Sequence, residues 1–205
     1  MIFITASHKP EILEANLLKS KIFKKYKLIV QKNYSNVPKA YNEAEGGDIT
    51  VYVHHDVFLP DDFEDNLLSS IAEIEKKDKN WGVLGVAGVE LKERRVIYGN
   101  IDDRGVQWGD PKELPHEVDT LDELILIVKN KFVFDEKLGN HFYGADICLQ
   151  AKELGMKSYA INAYLHHNSG LLRGERPDDF WEARDYMKEK YKHILPIATT
   201  CTIIN

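Results

Sequence analysis

Three short clusters carry the residue types that could do chemistry. The first is His54-His55-Asp56, which ends the apolar run ITVYV at Ile49–Val53 and is followed by Val57-Phe58-Leu59-Pro60. Side chains alternate along an extended chain, so His54 and Asp56 point one way and His55 the other. A strand that ends on a carboxylate puts it at the sheet edge where α/β proteins bind ligands. One carboxylate is a poor metal site alone. It suffices beside a phosphate-bearing substrate, because magnesium and manganese keep waters and take further oxygens from the substrate. A capped strand end is the plain structural alternative.

The second cluster is Gly144-Ala145-Asp146-Ile147-Cys148-Leu149. Asp146 opens a helical pattern, where an aspartate is either a cap or a general base toward a hydroxyl. The third is Tyr164-Leu165-His166-His167-Asn168, a second apolar run ending on histidines. Only one of His166 and His167 can join a given site, since neighbours face apart. Tyr98, Trp108, Tyr143 and Trp181 are candidate stacking platforms for a sugar, or ordinary core aromatics. Arg173 and Arg176 follow the second histidine pair and could reach an anion, or belong to a surface loop.

These clusters need elements to hold them. Met1–Thr5 reads as a strand, a helix runs from Glu11 to Phe23 or Tyr26, and Tyr26–Gln31 is a second strand. A short helix near Lys39–Glu45 precedes the ITVYV strand, and an amphipathic helix covers Phe63 to about Lys77. The segment Trp81–Val89, WGVLGVAGV, is a strand whose glycines imply close approach of a ligand or another element. Lys92–Pro115 reads as short strands and loops, and EVDTLDELILIV turns apolar again. Asp146–Leu154 is a helix, Ser158–Leu165 a strand, and Pro177–Tyr191 a final helix. Strand–helix alternation in the first half predicts an α/β fold with a mostly parallel central sheet flanked by helices.

Composition narrows the function. The chain has 205 residues, 43% hydrophobic and 29% charged, with a net charge of -6. That balance suits one globular domain and excludes a general nucleic-acid binder, which needs a basic face. The lysine run Lys19–Lys27 reads as a solvated helix end. Two widely spaced cysteines, Cys148 and Cys201, make no disulfide framework, which suits a reducing cytoplasm or its membrane surface. No apolar run approaches the roughly 20 residues that span a bilayer.

Taken in order, the clusters resemble the inverting nucleotide-sugar glycosyltransferases of family two, on a GT-A fold, in a branch with His-x-Asp for Asp-x-Asp. The resemblance covers about residues 1 to 170. Thr5-Ala6-Ser7-His8 falls where the family's first strand meets the nucleotide base, Asn33 follows the second strand, and Asn42 lies in the helix before the metal strand. Phe134-Asp135-Glu136 resembles the family's Phe-Asp-Glu, and Gly144–Leu149 its Gly-Glu-Asp-x-Asp-Leu. Ala145 and Cys148 depart from that pattern, and no Gln-x-x-Arg-Trp segment is present.

The resemblance implies a single 1–205 domain: a nucleotide half over 1–95, an acceptor half over 96–170, and a lid and helix over 171–205. It implies one sugar addition from a nucleotide-sugar donor, a UDP-sugar first, to a carbohydrate or glycoconjugate hydroxyl. Asp146 would be the base. Asp56, with His166 or His167, would hold Mn2+ or Mg2+. Thr5, Ala6, Ser7, His8, Asn33, Asn42, His54 and His55 would line the donor site, with Tyr143 and Trp108 on the acceptor side. A non-catalytic nucleotide-sugar-binding module and a metal-dependent hydrolase are the rival readings.

Overall fold

The computed structural model describes residues 1–168 and 176–205. Its centre is a seven-stranded sheet. In order across it lie His116–Val118, Lys157–Ala160, Trp81–Gly85, Ile125–Val128, Thr50–Val53, Ile2–Ser7 and Lys27–Lys32. Three pairings are parallel: Ile2–Ser7 with both its neighbours, and Lys157–Ala160 with Trp81–Gly85. Ile125–Val128 runs antiparallel between Thr50–Val53 and Trp81–Gly85, and His116–Val118 is antiparallel to Lys157–Ala160. The sheet is therefore mixed where a mostly parallel one was expected. The inserted strand has a consequence for the site. Its beginning, not its end, lies at the edge where the parallel strands finish.

Strand periodicity builds two cores, one on each face. Phe3, Val51, Val53, Leu84, Ile125 and Ile127 face the Phe63–Lys77 helix, with Phe63, Leu67, Ile71 and Ile74 from that helix. Ile4, Tyr52, Val83, Leu126 and Val128 face the other way, toward the Val37–Asn42, Tyr143–Glu153 and Asp178–Lys190 helices. Trp81, Phe63 and Phe3 are wholly buried, each contributing about 1.5–3 kcal/mol by transfer from water. The sheet takes strands from both expected halves, so residues 1–95 and 96–168 share these cores.

Other expectations shift locally. The first helix stops at Ala15 and continues as two short 3-10 turns, because the Asn16 side chain bonds back to the Ile12 carbonyl. Within the lysine run, Lys21 pairs with Asp61 and Lys25 with Glu64, both lysines being mostly exposed. The strand expected over 158–165 breaks after Ala160 and restarts as Leu165–His167 in a second sheet. There it pairs in parallel with Ile101–Asp103 and antiparallel with Val57–Phe58. Gly82 shows which partner approaches WGVLGVAGV: a Cβ there would come within 2.6 Å of Ala151 Cβ, on the Tyr143–Glu153 helix. No helix among the described residues is long and apolar enough to cross a membrane.

Candidate functional site

His54, Asp56 and His167 converge beyond the Thr50–Val53 strand, their ligand atoms within 4.8 Å of one another. The backbone sets this up. The His54 amide donates to the Leu124 carbonyl at 3.0 Å, extending the sheet ladder by one residue. Asn168 N–H donates to the Asp56 carbonyl at 2.9 Å, tying the two histidine segments together. Alternation then does as expected. His54 and Asp56 join the cluster, while His55 turns away and its Nδ1 lies 2.8 Å from Ser7 Oγ.

Asp56 Oδ1 lies 3.8 Å from His54 Nδ1, and Asp56 Oδ2 lies 3.5 Å from His167 Nε2. Asp56 Oδ1 is buried and makes no hydrogen bond, a costly state for a carboxylate oxygen unless something else satisfies it. The electrostatics favour a cation. Burial pushes the Asp56 carboxyl up, but the His167, His54 and His55 imidazoles outweigh it and hold it well below the usual range. Burial lowers His54, partly opposed by Asp56. Burial also pulls His167 down, and the Asp56, Asp122 and Asp103 carboxylates more than reverse it. An anionic carboxylate beside a neutral imidazole is a fitting donor pair for a divalent cation, which displaces protons from its ligands. On these grounds the residues fit a metal ion.

The support beneath is aromatic. His54 Nε2 lies 2.6 Å from the Tyr143 hydroxyl, and the Tyr143 ring packs on Tyr41 and Phe134. Tyr143 is wholly buried, so it is not an acceptor platform; it orients His54. Trp108 is half-buried and packs on the sheet core, Tyr98 is buried and stacked on His116, and Trp181 stays partly exposed on the last helix.

The alternation that separated His166 from His167 resolves here. Strand pairing sends His166 outward, where Nδ1 lies 3.3 Å from Asp102 Oδ2 and the ring meets Phe58 and Tyr164. His167 alone joins Asp56. Among the donor-side residues, Thr5 is wholly buried and its hydroxyl has no partner, and Ala6 and Ser7 are nearly buried. Thr5 is thus sealed from a nucleotide. His8 and Asn33 are exposed at this edge, with Asn33 in a left-handed conformation at φ 64 and its N–H bonded to Ser7 O. Asn42 is engaged elsewhere: its amide clamps both the Phe134 carbonyl and the Phe134 N–H at 2.9 Å. Arg173 lies outside the described residues. Arg176 sits 5.1 Å from the Phe180 ring centre.

Asp146 is the main correction. It is wholly buried, the fourth residue of the Tyr143–Glu153 helix, and turned into the core. Lys190 Nζ (2.5 Å) and Tyr191 OH (2.7 Å) donate to its Oδ1, and Gln150 Nε2 (2.8 Å) to its Oδ2. A carboxylate so placed has no path to an acceptor hydroxyl.

Besides Asp56, the carboxylates that come near this cluster are Asp122 and Glu123, which the sequence reading did not single out. They precede the antiparallel Ile125–Val128 strand, and its direction brings them to the His54 end of the sheet. Thr200 Oγ1 donates to Asp122 Oδ2 at 2.5 Å and Leu124 N–H to Oδ1 at 3.2 Å. The helix that carries Tyr143 seats directly on this segment. A Cβ at Gly144 would fall 2.9 Å from the Leu121 carbonyl, so only glycine allows the approach. The one available signal was an acidic pair opening an apolar run, LDELILIV.

Burial and the neighbouring Asp122 charge push the Glu123 carboxyl up to about 8, against backbone amides of Glu123, Gly144 and Phe142 that pull it down. The folded chain then keeps a proton that the unfolded chain, titrating near 4.5, has released. Stability therefore falls as pH rises between those values and levels off above them. Glu123→Gln is expected to flatten this fall, giving a higher melting temperature than wild type at pH 9 and little difference at pH 4. Identical pH profiles would contradict the assignment.

A family model described as "Glycosyltransferase like family" matches residues 24–190. A protein of Fuscovulum blasticum named "ATP synthase subunits region ORF 6" is 34% identical over 164 residues, 73% of this chain and 62% of that protein. The S. aureus TarS 1-349 structure superposes with a TM-score of 0.52 at 13% identity, over 93% of this chain and 65% of that one. TarS 1-349 in complex with UDP-GlcNAc superposes with a TM-score of 0.55 at 13% identity, over 93% and 66%. The chain thus spans less than two thirds of each of these proteins' own lengths. The fold is GT-A, and with most of its length matched by the family model, the chain belongs to the glycosyltransferase-like family.

Proposed function

We propose that this chain transfers one sugar, with inversion, from a nucleotide-sugar donor to an acceptor hydroxyl. The observation that carries the reading is the convergence of His54, Asp56 and His167, with a buried unbonded Asp56 oxygen, at the ligand edge of a glycosyltransferase-family chain. The TarS complex with UDP-GlcNAc supports a uridine diphosphate donor for this chain too. His54, Asp56 and His167 would hold the divalent cation. Two imidazoles and one carboxylate suit Mn2+ better than Mg2+, which prefers oxygen. When bound, such an ion supplies countercharge for a leaving diphosphate.

The base in this reading is Asp122, in place of Asp146. Asp122 takes the proton from the acceptor hydroxyl as that oxygen bonds to the anomeric carbon. The bond from that carbon to the diphosphate breaks, and its electron pair leaves with the diphosphate. Thr200 and the Leu124 amide fix the carboxylate, and each of its oxygens keeps a lone pair for the proton. Exposed His8 and Asn33, with His55 bonded to Ser7, form the donor-side rim.

The test is a thermal-shift and calorimetric titration with UDP, with and without Mn2+. UDP should stabilise the chain with Mn2+ and much less without it. At a hundredfold excess over the dissociation constant the gain is about 2.7 kcal/mol. Asp122→Asn should keep that binding and lose about 10²–10⁴-fold in sugar transfer. Absence of any UDP effect with Mn2+ would sink the reading. An Asp122→Asn variant with undiminished turnover would remove Asp122 as base.

A further inference from the structure

We propose that Asp103 is a positioning residue for the cation site, holding the His167 ring so that its Nε2 faces Asp56. This rests on the metal reading above. His167 lies between two carboxylates: Nε2 is 3.5 Å from Asp56 Oδ2, and Nδ1 is 3.3 Å from Asp103 Oδ1. Asp103 is only 7% exposed. Its Oδ1 is buried and makes no hydrogen bond as it stands, its other close approach being Arg104 Nε at 3.4 Å. Two of the three buried side-chain polar atoms without a hydrogen bond among the described residues, Asp56 Oδ1 and Asp103 Oδ1, therefore belong to the two carboxylates that flank this imidazole.

The backbone holds Asp103 to this task. Leu165–His167 and Ile101–Asp103 pair in parallel with His167 opposite Asp103. Arg104 N–H donates to the His167 carbonyl at 3.2 Å, closing the ladder one residue further. Ile101–Asp103 returns as Val106–Trp108 through the two-residue turn Arg104-Gly105, both at positive φ (52 and 82), the geometry of a tight hairpin. The neighbouring rung repeats the chemistry on the outer face, with His166 opposite Asp102 and Nδ1 3.3 Å from its carboxylate. That rung is more exposed and meets no third ligand. The inner rung does, and that difference assigns its purpose.

An imidazole ligates a cation through one nitrogen only when the other carries the proton, and a carboxylate acceptor fixes which is which. At 3.3 Å, Asp103 Oδ1 is placed to accept from Nδ1–H with a small turn of the ring, which would leave the Nε2 lone pair directed at the space beside Asp56. Without Asp103 the ring is free to rotate about its χ angles or to carry its proton on Nε2. Outer carboxylates of this kind change metal affinity by about 10–100-fold.

The experiment is Mn2+ titration followed by the electron paramagnetic resonance of free Mn2+. It compares wild type, Asp103→Ala, Asp103→Asn, His167→Ala and the Asp103→Ala/His167→Ala double variant. Asp103→Ala should weaken Mn2+ binding about 10–100-fold, and Asp103→Asn, which keeps an oxygen for Nδ1–H, should lose less. In the His167→Ala background, Asp103→Ala should cost nothing further. Additive losses would make Asp103 a direct ligand and overturn the proposal, as would unchanged affinity in Asp103→Ala. Should the alanine variant fail to fold by circular dichroism, Asp103→Asn decides: wild-type affinity in that folded variant overturns the proposal. A wild-type chain that binds no Mn2+ overturns the metal reading and this inference together. Wild-type binding with indifferent Asp103 variants overturns this inference alone.

Discussion

Asp56→Asn is expected to lower sugar transfer by about 10²–10³-fold, the scale on which one preorganised electrostatic partner contributes, while the chain stays folded. The stabilisation by UDP that depends on Mn2+ should disappear with it. The reason is the charge state. Asp56 is held ionised in the folded chain by the His167 and His54 imidazoles that face it, against its burial, and one of its oxygens is buried with no hydrogen bond. The asparagine has the same shape and none of the charge, so it offers no anion to a divalent cation. The substitution also leaves His167 with Asp103 but without its second carboxylate. Wild-type turnover and an unchanged Mn2+ response in this variant would remove Asp56 from the site. A uniform loss of melting temperature, with or without ligand, would reduce it to a structural residue.

Asp146→Ala is expected to act on the other quantity, stability. Breaking a buried ion pair from one side costs about 3–5 kcal/mol. At roughly 2–4 °C per kcal/mol for a chain of this size, the melting temperature should drop by about 6–20 °C. The partners explain the scale. Lys190 and Tyr191 lose their shared acceptor, and Gln150 loses its own. Lys190 retains Asp135 at 2.8 Å and is 26% exposed, so the loss should fall toward the lower end. Replacing both partners with apolar residues, as in Asp146→Leu with Lys190→Met, should recover part of the stability, since the buried pair is removed as a whole while Asp135 loses its lysine and keeps Tyr186. A normally melting Asp146→Ala chain with abolished transfer would restore Asp146 as the base and displace Asp122.

The two expectations separate what is local in this chain from what is not. Strand and helix positions were mostly legible because they depend on neighbours in sequence. The ITVYV run, the apolar spacing over Phe63–Lys77 and the helix reaching Leu154 all follow from side-chain period. Asp56 was legible for the same reason, as a carboxylate at the end of an apolar strand. So was the opposition of His54 to His55, and of His166 to His167.

Strand direction, by contrast, leaves no trace in an apolar run. LDELILIV reads alike whichever way it lies in the sheet, yet its antiparallel insertion is what carries Asp122 and Glu123 to the His54 edge. The choice between His166 and His167 depended on pairing with Ile101–Asp103, more than sixty residues earlier. Asp146 shows the limit most sharply. Spacing placed it near a helix start, but whether it met solvent or core was decided by Lys190 and Tyr191, 44 and 45 residues away. By itself the sequence determined most of the secondary elements, the family and an aspartate at the end of an apolar strand. Tertiary structure alone decided which carboxylates face the cleft, because that depends on long-range packing and on the cost of burying a charge without a partner.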